Sequence, residues 1–267
     1  MRTALHQIEE SLTIWQQLED EQAMSLALMT LGNVHVNMGN DAVAYPILKE
    51  ARALFQKWGN GFFNALILVT LGNVALGLGN PAEARDWLEE AYSVSRESGD
   101  NWMMSFALDN LGEVARVQGD YDQARKYYHE SEALLRAAGE KGDLPRLVHN
   151  LGYVALHEAD FMHAEDQFRK SLSMFKELGN KRGIAECLAG LAGLRAYQGQ
   201  WQRAAQSLGA AEALLAVIGG VWWPADRVEI GQNRALILSK LGETDFKAEY
   251  EKGRKMSPEQ AFANMLG

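Results

Sequence analysis

The feature that most constrains this chain is a period of 40 residues, and a fixed internal period is the mark of a repeat architecture. LGNVHVNMGN begins at Leu31 and LGNVALGLGN at Leu71. LGEVARVQGD follows at Leu111, LGYVALHEAD at Leu151 and LAGLRAYQGQ at Leu191, with no insertion between copies. Further columns keep the same step. Ala4, Ala44, Ala84, Ala124, Ala164 and Ala204 form one. Ile8, Leu48, Leu88, Tyr128, Phe168 and Leu208 form another that is always large. Ser11, Ala51, Ala91, Ser131, Ser171 and Ala211 form a third that is always small. Each unit of such a chain buries its apolar face on its neighbours, so the fold is a stack of equivalent units.

Each unit reads as two helices. Leu108, Leu111, Val114 and Ala115 share one face at helical spacing, as do Ala124, Tyr128, Ser131 and Leu134. Strand alternation is absent. Gly39-Asn40, Gly79-Asn80 and Gly119-Asp120 mark one break, and Gly59-Asn60, Gly99-Asp100 and Gly179-Asn180 the other. Glycine takes the left-handed backbone that ends a helix, and the Asn or Asp after it can cap the next. Pro46 falls inside a predicted second helix, and beyond its first turn it would remove one backbone bond and kink the helix.

A glycine inside a helix costs about 1 kcal/mol relative to alanine. Gly32, Gly72, Gly112 and Gly152 nevertheless recur mid-helix, which predicts close approach of the paired helix. Leu28, Leu31-Gly32 and His35, then Ala44, Leu48 and Ala51, resemble the tetratricopeptide (TPR) signature of a leucine-glycine helix followed by an alanine-and-large helix. The Trp position holds Leu or Val, the Tyr position varies, and the unit has 40 residues rather than about 34. HEAT and armadillo arrays have a similar period, but the Leu-Gly, Gly-Asn/Asp and Ala pattern favours TPR. The resemblance implies an all-α, right-handed TPR-like α-solenoid. Five units are expected over 21–60, 61–100, 101–140, 141–180 and 181–220.

Residues 1–20 align with the second helix of a unit, so a truncated repeat is expected there, its Met1 an artificial boundary or a shortened reading frame. Ala4, Ile8, Leu12 and Trp15 would then lack a first-helix partner, and self-association through this helix is expected. Residues 221–267 should form a helical cap: one helix from near Pro224 to Leu241, a short one over 244–254, and a last one opened by a capping box at Ser257-Pro258-Glu259-Gln260. Trp222-Trp223 is expected to form a hydrophobic lid over the last repeat. Gly209-Ala210-Ala211-Glu212, Leu241-Gly242-Glu243, Phe246, Gly253 and the 257–261 segment resemble the C-terminal TPR region of bacterial predicted ATPases and LuxR-type transcriptional regulators. That resemblance implies a sensor or regulatory arm. No G-x-x-x-x-G-K-[ST] occurs, so it does not bring ATPase activity with it.

Twenty-six Lys and Arg against 35 Asp and Glu leave a net charge of −9, which speaks against direct nucleic-acid binding. No apolar run reaches a membrane span of about 20 residues, so no membrane partner is expected and a cytoplasmic location is the default. The single cysteine, Cys187, excludes an internal disulfide and reads as a small buried side chain. H-E-x-x-H, G-x-S-x-G and C-x-x-C are all missing, so no enzyme, cofactor or metal site is expected. His157 and His163 lie six apart across a predicted turn at Ala159-Asp160 and need not share a face.

What remains is binding. By the TPR resemblance, first helices line a concave groove, which holds Asn33, Asn73, Asp109, Glu113, Arg116, Arg146, His149, Tyr153 and His157. Asn33 and Asn73 resemble the asparagines with which TPR adaptors hold a peptide backbone, while Met29 and Val69 replace the lysines of a carboxylate clamp. Asp109, Glu113 and Arg116 form one helical stripe and His149, Tyr153 and His157 the next. Two readings of these stripes stand side by side: a lining for a protein or peptide segment whose basic residue meets Asp109 and Glu113, or hydrogen bonding between repeats. The function expected is a non-enzymatic interaction and sensing module in a bacterial regulator. A free-standing scaffold that bridges two proteins is the alternative.

Overall fold

The computed structural model describes residues 2–58, 61–257 and 260, and the side chains of these apart from residues 2–4 and Trp58. Among the described residues all regular structure is helical: α1 (Arg2–Gln17), α2 (Glu21–Asn37), α3 (Asp41–Trp58), α4 (Gly61–Gly77), α5 (Pro81–Ser98), α6 (Asn101–Val117), α7 (Tyr121–Ala138), α8 (Leu144–His157), α9 (Phe161–Glu177), α10 (Lys181–Tyr197), α11 (Trp201–Val217), α12 (Pro224–Leu241) and α13 (Glu243–Arg254). The fold is an all-α TPR-like solenoid. The Gly59-Asn60 break and the last helix expected beyond residue 260 lie outside the described residues.

The turns follow the glycine column. Gly39, Gly79, Gly99, Gly119, Gly139, Gly179, Gly199 and Gly219 all have φ between 61° and 82°. Glu19 and Ala159 hold the same left-handed conformation, at φ 54° and 60°, without the freedom of glycine. At several breaks the acidic or amide residue that follows caps the next helix, although Asn80 and Gln200 make no such side-chain bond. Asp20 accepts from the Ala23 amide at 3.0 Å, Asp100 from Met103 at 2.9 Å, Asp160 from His163 at 3.1 Å and Asn180 from Gly183 at 3.0 Å. One helix departs from the step: Lys141-Gly142-Asp143 stays outside α8, which begins at Leu144 with Pro145 in its first turn. Helix α3 runs through Pro46 as one continuous element. No helix among the described residues is long and apolar enough to cross a membrane.

The chain divides into two units, residues 1–118 with 129–138, and residues 119–128 with 139–267. In the first, Leu28, Leu48, Phe55, Ile67, Leu71 and Val74 centre one core. A Cβ on Gly32 would stand 2.5 Å from Leu48 Cδ2, and one on Gly72 would stand 2.6 Å from Leu88 Cγ and 3.2 Å from the Ala84 carbonyl oxygen. The mid-helix glycine therefore makes room for the large column of its own repeat. The second helices are tied together on their outer side. The Tyr45 hydroxyl donates to Glu83, Arg52 Nη2 to Glu90 at 2.5 Å and the Tyr92 hydroxyl to Glu130 at 3.2 Å, each across 38 residues. Helix α1 packs less deeply: Ile8, Leu12 and Trp15 are only half-buried, and Ile14 and Leu18 are exposed.

In the second unit, Phe168 fills the space left by two glycines, Gly152 and Gly190, whose Cβ atoms would come within 2.8 and 2.5 Å of its ring. The small column carries a hydrogen bond in both units: Ser131 Oγ donates to the Ser105 carbonyl at 2.8 Å, and Ser171 Oγ to the Pro145 carbonyl at 2.6 Å. Cys187 is buried, with its Sγ donating to Ser171 Oγ at 3.3 Å. Burial pushes its thiol pKa far up, the largest of the causes acting on it.

The C-terminal residues singled out by their resemblance to the ATPase and LuxR-type pattern have a packing role. Helix α13 lies against α11 with Gly253 on the Gln206 carbonyl and Gly209 on the Tyr250 carbonyl, so the two backbones touch. Glu212 of α11 accepts from both Arg234 and the Tyr250 hydroxyl. The Arg234 guanidinium lies 5.6 Å from the Phe246 ring centre and 5.0 Å from that of Tyr250. The capping box forms: the Ser257 amide donates to Gln260 Oε1 at 2.9 Å, and the Gln260 amide to Ser257 Oγ at 3.2 Å.

Candidate functional site

Helical spacing places the expected groove residues in successive first helices. In the first unit, Asn33 is half-buried on α2, its carbonyl oxygen accepting the Asn37 amide at 3.0 Å. Asn73 on α4 is buried. Asp109, Glu113 and Arg116 form one stripe of α6, with exposures of 5%, 0% and 1%, and none of the three is without a partner. The open lining expected of them is not what the packing leaves.

In the second unit the face of α8 and α10 is built differently. His149 and Tyr153 are fully buried, in edge-to-face contact at 5.1 Å, and Tyr153 meets Phe168 in the same way at 5.2 Å. Both rings belong to the packing. Arg146 and His157 keep partial access to solvent. His157 stacks on Tyr121 at 4.6 Å, and Arg146 lies 3.8 Å from the buried carboxylate of Glu186.

The partners of this face come from the C-terminal region, whose sequence marks it only as a helical cap. Helix α12 brings Asp226 to 3.7 Å from His149 Nε2. It brings both Glu229 carboxylate oxygens to His157 Nε2, at 2.9 and 3.1 Å. Asn233 stands where a Cβ on Gly193 would be, so the glycine of α10 admits the amide. Asp226, Glu229 and Asn233 are all buried, at the three- and four-residue spacing of one helical face. Trp223, just before α12, receives two guanidinium groups, Arg146 at 4.9 Å and Arg182 at 5.0 Å from its ring. Trp223 is therefore an anchor reaching α8 and α10 rather than a lid on the last repeat alone. The sequence shows only the local pattern W-P-A-D-R-V-E, an aromatic followed by two acids on one helical face, and not the histidines they meet.

Among the described residues, no three His, Cys, Asp or Glu side chains gather closely enough to hold a metal ion. His163 sits outside the His157 cluster, 3.1 Å from Gln167. One cavity in the first unit, about 430 Å³, is lined by Phe55, Gln56, Gly61, Asn64, Val94, Glu97 and Ser98.

Two stretches, residues 23–97 and 103–177, match the tetratricopeptide repeat family model and together span more than half of the chain. The chain belongs to the tetratricopeptide repeat family. Among solved structures, the TPR chain is similar to a Rap protein complexed with Competence and Sporulation Factor, with a TM-score of 0.68 at 12% identity over 98% of this chain and 78% of that one. It is similar to BtubC (BKLC) from P. vanneervenii, with a TM-score of 0.61 at 17% identity over 82% of this chain and 92% of that one. It is also similar to the Rap conjugation gene regulator of plasmid pLS20 in complex with the Phr* peptide, with a TM-score of 0.60 at 13% identity over 90% and 72%. At these identities the likeness is one of fold. No curated protein matches the sequence.

Proposed function

We propose that this TPR chain is a non-enzymatic protein- and peptide-binding module, organised as five 40-residue repeats with a preceding helix and a C-terminal cap, and that it serves as the sensing arm of a bacterial transcriptional or signalling regulator. The observation that carries the reading is the composition of the α8 and α10 face. Arg146, His157 and Arg182 stand there with partial solvent access, where a purely structural array would place aliphatic side chains. Cations beside aromatic rings orient a polypeptide ligand and supply contact area. Two TPR-like neighbours support the same reading: one is complexed with Competence and Sporulation Factor and another with the Phr* peptide. The regulator role rests on the resemblance of the C-terminal pattern from Gly209 to Ser257, whose residues pack together on α11, α12 and α13.

Affinity capture with the full chain, followed by titration calorimetry, tests the binding role. Arg182→Glu should weaken the captured partner by about tenfold or more, as loss of an interface hot spot does. Lys170→Glu, exposed on α9, should change little. The opposite pattern would move the site to the second helices and refute the assignment. A free-standing scaffold that bridges two proteins is the second reading. An upstream nucleotide-binding domain in the genomic sequence would decide for the regulator.

A further inference from the structure

We propose that the face of α8 and α10 is a binding site for a partner protein's helical segment that presents two carboxylates on its docking face, and that α12 is its resident occupant, leaving when the partner's helix takes its place. This rests on the binding-module reading and names the partner's chemistry.

The first reason is how α12 is attached. Its buried face mixes Ile230 and Ile237 with Asp226, Glu229 and Asn233, so polar groups share the seam with apolar ones. A helix needed only to close an array is better held by aliphatic residues, because burying carboxylates carries a desolvation cost that ion pairing repays incompletely. The seam therefore holds α12 less tightly than its area implies, as suits a helix that exchanges with a competitor.

The second reason is recognition. The receiving face is specific for the sign and spacing of what it holds. Two histidines meet two carboxylates three residues apart, and two guanidinium groups meet one tryptophan that precedes them. An aromatic followed by acids at positions three and six is a linear pattern that another protein can present. The net charge of −9 favours cationic partners at long range, but this face has the opposite local character.

The third reason is that α12 has a joint at each end. Before it, Gly219 at φ 61°, Gly220 and the non-helical stretch through Trp223 join it to α11. After it, Gly242 adopts φ 75° and ψ 162°, a conformation that is essentially glycine-only. Helix α13 is clamped to α11 by the Gly209–Gly253 backbone crossing, which involves no residue of α12. Release of α12 breaks the Arg234–Glu212 tie and leaves that crossing in place.

The probe is an isotope-labelled synthetic peptide of residues 221–241, added to the full chain. In the wild-type protein, saturating peptide should speed amide exchange across 224–241 while 181–197 stays protected. The Asp226→Asn/Glu229→Gln chain, whose own α12 competes poorly, should bind the peptide about tenfold more tightly than wild type. A peptide carrying the same two changes should bind worse than the natural one. Unchanged exchange in α12 with excess peptide overturns the proposal without any variant having to fold. So does equal peptide affinity of wild type and a double variant with unaltered helicity. A captured partner that binds wild type and double variant equally, yet is lost on Arg182→Glu, would leave the binding-module reading standing and end this one.

Discussion

Gly253→Ala separates backbone crossing from helix propensity, because the two effects have opposite signs. A helical glycine replaced by alanine at an unobstructed site gains about 1 kcal/mol from propensity. Gly231 is such a site: it is exposed in α12, with nothing within 4 Å of where its Cβ would be. At Gly253 a Cβ would press on the Gln206 carbonyl oxygen and lie 2.6 and 2.7 Å from the carbonyl carbon and Cα of the same residue. Relaxed carbon contacts are about 3.5–4.0 Å, so α13 must retreat by roughly 1 Å. The obstacle is backbone, which cannot rotate away as a side chain can. Overpacking of this kind costs typically about 1–3 kcal/mol. Taking the upper end and subtracting the propensity gain leaves a net loss of about 2 kcal/mol. For a domain of this size that is a fall in melting temperature of about 4–8 °C. Repeat arrays can melt in parts, so amide exchange over 243–254 serves as a second readout beside thermal and urea melts. Gly231→Ala should raise the melting temperature, and Gly253→Ala should lower it and speed exchange in α13. If both variants melt at or above wild type, the close crossing of α11 and α13 is wrong.

Ala159→Gly should stabilise the protein by about 1 kcal/mol in urea melts, because it relieves an exposed left-handed residue in the turn before α9; a loss of stability would contradict that turn geometry. Cys187 should resist thiol reagents in the native state and react only on unfolding. Its folded pKa lies above its unfolded value near about 8.5, so the unfolded chain binds fewer protons at alkaline pH. That contribution to stability is complete below the unfolded pKa and falls by about 1.4 kcal/mol per pH unit above it. Cys187→Ala should flatten the alkaline limb of the stability curve, and an unchanged limb would refute the assignment. Amides over 5–16 of the shallowly packed α1 should exchange faster than those of 104–117, with self-association through Ile14 and Leu18 detectable by sedimentation; slow exchange in a strict monomer would count against it.

The repeat was legible because it is written in residues whose job is local or periodic. The glycine that ends a helix, the Asp or Asn that caps the next and the Leu-Gly step each act within one unit, and a period of 40 repeats the evidence. Helix α12 was legible as a helix from Pro224 to Leu241 for the same reason. Its destination was not. The Glu229–His157 contact spans 72 residues, and neither residue belongs to a column that predicts it. The stripes over Asp109–Arg116 and His149–His157 were read correctly as helical faces, but periodicity reports which residues share a side and not how deeply a neighbour covers it. Tyr153 and Glu113 are fully buried for that reason. The ties Arg52–Glu90 and Tyr92–Glu130 occupy one position of the repeat, but the donor changes from Arg to Tyr between copies; Tyr45–Glu83 lies seven residues earlier in its repeat, so no column of one residue type marks any of the three.

The two C-terminal helices show how one chain can use opposite physical means for holding and for releasing. Helix α13 approaches α11 through glycines, so that backbone meets backbone and many small dispersion contacts accumulate without desolvating a charge. That contact has no partner-specific pattern and tolerates no added atom, which suits a permanent clamp. Helix α12 approaches through two carboxylates and a preceding tryptophan matched to particular side chains of α8 and α10, and through an amide seated on Gly193. Such a seam gains selectivity from its pairs but little net stability, because each pair must first lose its water. Exchanging the two modes should exchange the behaviours. Replacing Asp226 and Glu229 with Leu would remove two buried carboxylates but strand His149 and His157 beside apolar groups, so the complete exchange also needs His149→Phe and His157→Leu. With all four changes α12 should stay docked in the presence of excess 221–241 peptide, and its amides should exchange as slowly as those of α10. Continued release of α12 from that apolar seam would show that its mobility comes from the glycine joints at 219–220 and 242 rather than from the polar docking face.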